Sequence, residues 1–197
     1  MTGTCTLTFD DGPDPTWTPR VLDELGRARV RATFFVDTGR VARAPGVLRA
    51  IVAEGHDVEL HCHRHVRHTE RSLEELEHDT RAALSALARL GVVPSRWRTP
   101  WGVRTTATST VAARHGLELI DWTVDTHDWR GDAAEAMLAD AVAELTSSSV
   151  VLMHDALGPG ATRTGCSATV ELIKPLVGAA RRRGLRVVPL SAGSAGQ

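Results

Sequence analysis

The chain has 197 residues, of which 42% are hydrophobic and 24% charged, so it is long enough for one domain with a substantial core. A formal net charge of -1 with dispersed basic residues excludes an extended nucleic-acid surface. No apolar stretch reaches membrane-helix length, and the 3 cysteines have no paired spacing. The amino terminus lacks the regions of a signal peptide. We expect a monomeric cytoplasmic protein without membrane or nucleic-acid partners, or a secreted one if an export segment has been removed.

Short apolar runs alternate with amphipathic segments along the chain. The runs predict strands at residues 5–9, 32–36, 57–60, 97–98, 118–124, 150–153 and 185–190. The amphipathic segments predict helices at residues 17–27, 45–54, 73–90, 105–115, 133–145 and 169–183. This alternation favours parallel strands with helices outside. Because no glycine-rich phosphate loop follows the first strand, the sequence predicts an α/β barrel of about seven parallel strands rather than a doubly wound sheet, with residues 1–197 as a single domain.

The first predicted strand ends on two adjacent carboxylates, Asp10 and Asp11, and a Gly12-Pro13 turn follows them. Such a turn can aim both carboxylates at one site. Two anions held that close repel each other, and a bound cation relieves the repulsion. The ordinary alternative is a solvated Asp-Gly turn.

Three histidines occur within five residues after the third predicted strand. Because buried histidines need polar partners, the cluster favours metal binding over core packing, with a protonatable surface cluster as the alternative. If the chain becomes helical after Leu60, His61 and His65 share a face. If it stays extended, His61 and His63 do. We interpret Cys62 as a small buried residue beside the site rather than as a ligand.

Three more groups of polar and aromatic residues follow predicted strands. Arg98 precedes Pro100 and Trp101, where an arginine can hold a carboxylate beside an aromatic wall. Asp128 follows another strand, and His154 comes directly after an apolar one, where acidic neighbours can keep it protonated. The ordinary alternatives are a surface Arg–Trp stack, a turn and a structural histidine.

Five motifs in register resemble those of the polysaccharide deacetylases, the NodB homology domain or carbohydrate esterase family 4, over residues 6–190. The motifs are Thr8-Phe9-Asp10-Asp11-Gly12-Pro13, His61-x-x-x-His65, Arg98-x-Pro100-Trp101-Gly102, Asp125-x-x-Asp128-Trp129 and Leu152-x-His154. The resemblance implies a distorted (β/α) barrel and a divalent metal, most commonly Zn²⁺, with Co²⁺ or another divalent ion as alternatives. The second motif departs from the family pattern at Cys62, Arg64 and Val66, and the third has a tryptophan where Tyr or Phe is usual.

The resemblance also implies a role for each motif residue, with Asp10 as the general base and His154 as the general acid. The implied metal ligands are Asp11, His61 and His65. The implied proton carriers and the residues that orient or tune them are Asp10, Arg98, His154 and Asp128. The implied substrate contacts are Pro100, Trp101, Trp129 and Leu152.

Together these implications predict a metal-dependent hydrolase that removes an N-acetyl group from an amino sugar and releases acetate. The candidate partners are N-acetylated carbohydrates: chitin oligomers, peptidoglycan glycan or a soluble sugar intermediate. The alternatives are an acetylxylan-type O-deacetylase, a cyclic amide or imide amidohydrolase that uses His61 and His63, and a binding module without turnover. The presence of both Asp10 and His154 favours catalysis over a binding module.

Overall fold

The computed structural model describes residues 3–193, whose strands form one parallel sheet. The strands are β1 (Thr4–Asp10), β2 (Thr33–Asp37), β3 (Asp57–Cys62), β4 (Arg96–Trp97), β5 (Glu118–Leu119), β6 (Val124–Asp125), β7 (Val150–His154) and β8 (Arg186–Val187). The helices are α1 (Thr18–Ala28), α2 (Thr38–Arg43), α3 (Pro45–Ala53), α4 (Leu73–Ala88), α5 (Thr106–Arg114), α6 (Ala134–Glu144), α7 (Ser167–Arg182) and α8 (Leu190–Gly193). Short 3₁₀ turns cover His68–Glu70, Pro100–Gly102 and Asp128–Arg130.

The sheet is curled. Its strand order is β5-β4-β3-β2-β1-β7-β6, and β8 pairs with the first residues of β1. β5 and β6 occupy opposite edges although only residues 120–123 join them. Because this connection spans at most about 18 Å when fully extended, the sheet must curve until its edges approach each other. The prediction of a distorted barrel of about seven parallel strands is confirmed, in the form of a curled half-barrel.

The helices cover the sheet around two hydrophobic clusters. β1 is buried on both faces, as its continuous apolar run requires in a parallel sheet, and Phe9 stacks on Phe34 of β2 with 5.1 Å between ring centroids. The larger cluster joins the central strands to α1, α3, α6 and α7. The smaller one packs Leu60 and Trp97 against α4 and α5. Both clusters hold the strand ends in fixed positions. Among the described residues, no helix has both the length and the apolarity needed to cross a membrane.

Most predicted elements occur close to their expected positions, but two strand predictions are wrong in detail, and α2 and α8 were not predicted. The strand predicted at residues 118–124 is divided into β5 and β6. The strand predicted at residues 185–190 is only two residues long, and α8 follows it. α2 has no counterpart among the predicted helices; it begins because the Asp37 carboxylate accepts hydrogen bonds from Gly39 N (2.7 Å) and Arg40 N (3.3 Å). The single-domain prediction also includes residues 1–2 and 194–197, which lie outside the described residues.

Candidate active site

The polar motif residues converge at the carboxyl ends of neighbouring strands. Asp10 ends β1 and His154 ends β7, and the two are register partners in adjacent parallel strands. His61 lies in β3, and Arg98 directly follows β4. In a barrel the carboxyl ends of parallel strands meet at one end, so the sheet itself gathers these four side chains.

Asp11 places its carboxylate between two imidazoles. Its φ of 72° is left-handed, which breaks the side-chain alternation of the strand directly after Asp10. Asp11 Oδ1 lies 3.3 Å from His61 Nε2 and 3.1 Å from His65 Nε2. One ligand atom from each of these three residues lies within 4.8 Å of the other two.

These three donor atoms fit a single divalent cation. Ligands bound to one tetrahedral zinc at about 2.0–2.1 Å lie about 3.3 Å from each other, which is close to both observed distances. Asp11 Oδ1 is also buried without a well-directed hydrogen bond among the described residues. Because buried polar atoms rarely lack a partner, the cluster has unsatisfied capacity that a cation would use.

The second motif adopts neither of the conformations that its spacing predicts. β3 extends one residue past His61, and a loop rather than a helix carries His65. The helical interpretation is therefore wrong about conformation, although the two histidines do meet. His63 has its Nδ1 2.8 Å from the Thr38 hydroxyl. His61 Nδ1 lies 2.7 Å from the Arg98 carbonyl, which can only accept a hydrogen bond, so His61 Nε2 carries the lone pair available to a metal.

Arg98 holds the Asp10 carboxylate inside the half-barrel. Its side chain is fully buried, and Nη1 donates to Asp10 Oδ1 (2.9 Å) and to the Thr8 hydroxyl (2.6 Å). Nη2 donates to the Asp121 carbonyl at 3.1 Å, and the guanidinium lies 4.2 Å from the centre of the Phe35 ring. Two buried opposite charges with several further partners fix the position of Asp10.

His154 and Asp128 form a pair on the other side of the site, in which Asp128 is buried and His154 is partly exposed. His154 Nδ1 lies 2.7 Å from Asp128 Oδ1, and the His154 backbone N–H donates to Asp128 Oδ2 at 2.9 Å. Thr169 donates its hydroxyl to the same Oδ2 at 2.7 Å. Because the Asp128 carboxylate accepts a hydrogen bond from His154 Nδ1, the other ring nitrogen, Nε2, is the one free to exchange a proton with a ligand.

Two opposing effects set the charge states of Asp11, Asp128 and His154: burial favours their neutral forms, and nearby opposite charges favour their ionised forms. Burial alone would raise the pKa of Asp11, but the imidazoles of His61 and His65 outweigh it and hold that pKa well below its usual range. Burial also disfavours the charged forms of Asp128 and His154. Their mutual attraction outweighs it, lowering the pKa of Asp128 to about 2 and raising that of His154 to about 9. At neutral pH this pair is ionised, and His154 carries a proton that it can donate.

A cavity of about 370 Å³ opens over the clustered groups. The polar side chains that line it are Asp10, Asp11, His61, His65, Arg67, Asp125, His154 and Arg163. The apolar lining comes from Trp101, Trp122, Trp129, Leu152, Ala156 and residues 158–161. A concave, largely aromatic lining with a few convergent polar groups is typical of a small-ligand site.

The third motif forms a strained turn at the wall of this cavity. Trp101 has a left-handed φ of 53° and remains 38% exposed. Gly102 follows with φ 67°, and a Cβ at that position would lie 2.8 Å from the Trp122 ring. Glycine is therefore required for both backbone conformation and space, and the turn holds Trp101 against the His65 ring at a centroid distance of 4.2 Å.

Comparison with known proteins identifies the family of this chain. The sequence profile of the family described as polysaccharide deacetylase matches residues 2–120. A chitooligosaccharide deacetylase from Bradyrhizobium sp. (strain ANU 289) is 36% identical over 191 residues, which cover 93% of this chain and 87% of that protein. The chain belongs to the polysaccharide deacetylase family. The resemblance inferred from five motifs is confirmed.

Two further relatives of this polysaccharide deacetylase differ in how much of their length it covers. The peptidoglycan-N-acetylglucosamine deacetylase PgdA of Listeria monocytogenes is 38% identical over 150 residues, which cover 76% of this chain but only 32% of that protein. The family 4 carbohydrate esterase from Streptomyces lividans, solved in complex with acetate, superposes with a TM-score of 0.85 at 29% identity. That match covers 94% of this chain and 91% of the esterase chain.

The predicted site residues of this polysaccharide deacetylase occupy three kinds of position. Trp101, Trp129 and Leu152 line the cavity together with the proposed ligands and proton carriers. Arg98 and Asp128 lie behind the lining and contact the groups that reach it. Pro100 is buried in its turn and is not among the residues that line the cavity, so its contact with substrate stays a prediction. Cys62 is buried, as expected, and burial raises the pKa of its thiol well above the usual value.

Three aromatic or charged residues of the cavity lie outside the predicted motifs. Trp122 lies within the segment predicted as one strand. Arg67 follows the second motif by two residues and places its guanidinium 4.5 Å from the centre of the Trp101 ring. Arg163 lies in a polar loop after β7, in the sequence Thr162-Arg163-Thr164-Gly165. Proximity to a motif could have indicated Arg67, whereas nothing in its local sequence distinguishes Arg163 from an exposed arginine.

Proposed function

We propose that this polysaccharide deacetylase hydrolyses the N-acetyl group of an amino sugar, with residues 1–197 as one catalytic domain, and releases acetate and a free amine. The observation that carries the proposal is the placement of Asp10 and His154 on adjacent strand ends, with the Asp11–His61–His65 cluster in the same cavity. A base and an acid thereby flank one cation-binding cluster, as amide hydrolysis requires.

We propose that Zn²⁺ is the cation held by Asp11, His61 and His65, with Co²⁺ or another divalent ion as substitutes. When bound, such an ion supplies Lewis-acid polarisation of a water molecule and of the acetyl carbonyl. A metal ion also needs imidazole nitrogens whose lone pairs point at it. The hydrogen bond between His61 Nδ1 and the Arg98 carbonyl fixes the His61 ring in such an orientation.

In this mechanism the protein residues move two protons. Asp10, oriented by its hydrogen bond from Arg98, accepts a proton from the attacking water as oxygen bonds to the acetyl carbon. The backbone N–H of Trp101 donates to the carbonyl oxygen as negative charge develops there. When the C–N bond breaks, His154 donates its proton to the leaving nitrogen, and Asp128 stabilises the imidazolium until then.

The substrate class follows from the shape and lining of the cavity. The indole rings of Trp101, Trp122 and Trp129 line the cavity, and aromatic rings suit the apolar face of a sugar ring; Leu152 offers a contact for an acetyl methyl group. The names of the Bradyrhizobium and Listeria relatives support glucosamine-containing substrates, either chitin oligomers or peptidoglycan. A cyclic amide or imide is disfavoured, because His63 is bonded to Thr38 rather than grouped with His61.

Acetate release tests the proposal. The purified protein would be loaded with Zn²⁺ and offered N-acetylglucosamine oligomers, peptidoglycan glycan, a soluble N-acetylated sugar and acetylxylan. We expect acetate together with free amine from the amino-sugar substrates, and loss of both after chelation. Acetate from acetylxylan alone would replace the proposal with O-deacetylation, and no acetate from any of them would contradict it.

A further inference from the structure

Arg163 is the buried charged side chain of the site that no part of the mechanism above uses. It lies in the loop between β7 and α7, and its side chain is only 5% exposed. Its guanidinium contacts Asp128, which forms the proposed proton-donating pair with His154. It does not contact the proposed metal cluster of Asp11, His61 and His65. A buried arginine is costly unless it is paired, so its contacts indicate what it stabilises.

The two terminal nitrogens of Arg163 contact both members of the proton-donating pair. Nη1 lies 2.8 Å from Asp128 Oδ2, 3.1 Å from the Asp128 carbonyl and 2.5 Å from the Thr169 hydroxyl. Nη2 donates to the carbonyls of His154 (3.0 Å) and Ala156 (3.1 Å). One planar guanidinium therefore connects the Asp128 carboxylate to the backbone that carries His154.

The charge of Arg163 is most important after proton transfer. The Asp128 carboxylate is fully buried, and the cations beside it are the imidazolium of His154 and the guanidinium of Arg163. Once His154 has given up its proton, Arg163 is the cation that remains. An unpaired buried carboxylate would take up a proton or change its position, and the hydrogen bond at His154 Nδ1 would be lost. Because Arg163 is a counterion in both protonation states of the His154 imidazole, the Asp128 carboxylate stays ionised and in place.

We propose that Arg163 is a positioning residue for proton donation: it holds Asp128 ionised and oriented, so that the second ring nitrogen of His154 faces the leaving group throughout turnover. The proposal rests on the proposed function, because it assigns to His154 the protonation of a leaving nitrogen. The competing interpretation is a structural one, in which Arg163 only ties the loop over residues 156–163 to the barrel.

The two interpretations differ in how the effect depends on the leaving group. An amine leaves only after protonation, whereas the phenolate of 4-nitrophenyl acetate leaves without it, so only the amide reaction needs the acid. We would compare kcat for an N-acetylglucosamine oligomer and for 4-nitrophenyl acetate in Arg163→Ala and Arg163→Lys. Arg182→Ala, at an exposed position near the end of α7, is the matched control.

For Arg163→Ala we expect amide turnover to fall about 100-fold and ester turnover to stay within about a factor of three, with KM for the oligomer unchanged. Added guanidinium ion should restore part of the amide rate. Arg163→Lys should show the same split, more weakly, because an ammonium keeps the charge but cannot span Asp128 and the two carbonyls. Equal losses on both substrates, or no loss, would overturn the proposal in favour of the structural interpretation.

A second readout does not depend on activity or on bound metal. In the metal-free protein the Nδ1 proton of His154, bonded to Asp128, should give a downfield NMR resonance, which Arg163→Ala should shift or broaden and Arg182→Ala should not. If Arg163→Ala does not fold, Arg163→Lys is used for both measurements, and an unchanged resonance with no substrate split contradicts the proposal. Wild-type protein without amidase activity would instead contradict the proposed function, so the two failures are distinguishable.

Discussion

The proposed metal cluster (Asp11, His61 and His65) and the proposed proton-donating pair (Asp128 and His154) differ in how their polar atoms are satisfied. In the proposed metal cluster, the Asp11 carboxylate lies between two imidazoles, and Asp11 Oδ1 lacks a well-directed hydrogen bond among the described residues. In the pair, both oxygens of Asp128 have partners, supplied by His154, Thr169 and Arg163. A cation would satisfy the buried Asp11 oxygen of the cluster, whereas protein groups alone satisfy the Asp128 carboxylate of the pair.

From this difference we expect the cluster, and not the pair, to depend on bound metal. Removing the ion should change the geometry and charge of the cluster and leave the pair largely as it is, because the pair contains its own counterions. Substitutions in the two halves should therefore have different effects. Those in the cluster should lower metal content, whereas those in the pair should lower turnover while the metal stays bound.

The largest effect is expected from removing a ligand. His61→Ala or His65→Ala should abolish retention of zinc, since two remaining ligands cannot close a tetrahedral site. Metal content after gel filtration, measured by atomic emission, checks this. His63→Ala is the matched control, because His63 bonds to Thr38 outside the cluster. If His63→Ala loses zinc and His65→Ala keeps it, the ligand assignment is wrong.

Changing the base should separate activity from metal content. Asp10→Asn should retain zinc but lower acetate release at least about 100-fold, because an amide cannot accept the proton of the attacking water. The variant should also unfold at a lower temperature, since Arg98 is fully buried and would lose its counterion. Zinc content, acetate release and thermal unfolding on one preparation distinguish these effects. Appreciable turnover in Asp10→Asn would exclude Asp10 as the base.

Periodicity predicted the order of elements well, because each strand–helix unit has a long apolar run or stripe of its own. It failed where tertiary contacts decide the local structure. The segment at residues 118–124 alternates like a strand, but the Asp121 carbonyl bonds to Arg98 and Trp122 turns into the cavity, so the sheet edge is interrupted there. α2 is too short for a periodic signal and depends on the cap supplied by Asp37.

The sequence predicted the site residues that belong to local motifs. It missed a residue that reaches the site from a distant part of the chain. The adjacent Asp10 and Asp11, and the spacing of His61 and His65, are visible in the sequence. Arg163 meets Asp128 only because the loop after β7 folds back across the pair, and that contact joins residues 35 positions apart. No local pattern encodes a contact of this kind, so only the three-dimensional structure shows it.

A smaller change at the edge of the metal cluster should weaken only that half of the site. A Cβ added at Gly158 would lie 1.8 Å from Asp11 Oδ2, so Gly158→Ala must displace this carboxylate. Gly158 has no left-handed backbone, and alanine can therefore adopt its conformation without strain. We expect zinc affinity to fall about 10- to 100-fold, as for loss of a group that orients a ligand.

Zinc titration with a competing chelator measures this change, and the His154 Nδ1 resonance should be unaltered. Gly46→Ala is the control, since a Cβ there meets nothing within 4 Å. Unchanged zinc affinity in Gly158→Ala would show that the Asp11 carboxylate can move without loss of binding, which contradicts the role of this close contact.

The smallest effect concerns the stability of the metal-free protein at alkaline pH. Burial opposes protonation of His154, but Asp128 outweighs it and raises the pKa to about 9, above the ordinary value near 6.5. Since the folded state holds this proton more tightly than the unfolded state, the stabilisation is complete below pH 6.5 and is lost as pH rises through about 9. We expect a loss of about 2 kcal/mol between pH 7 and pH 9. His154→Gln should lack this loss.

Buried histidines outside the pair provide the internal control, because their effect has the opposite sign. Burial lowers the pKa of His56 and of His68 to about 4, so each contributes stability that is present above pH 6.5 and is lost as pH falls through about 4. Urea unfolding at pH 5, 7 and 9 should show this acid-side loss in wild type and His154→Gln alike. Buried thiols also destabilise the folded state at high pH, so the test is the difference between the two proteins. An equal alkaline loss in both would mean that the pair does not keep its proton without metal, and the contrast between the two halves of the site would fail.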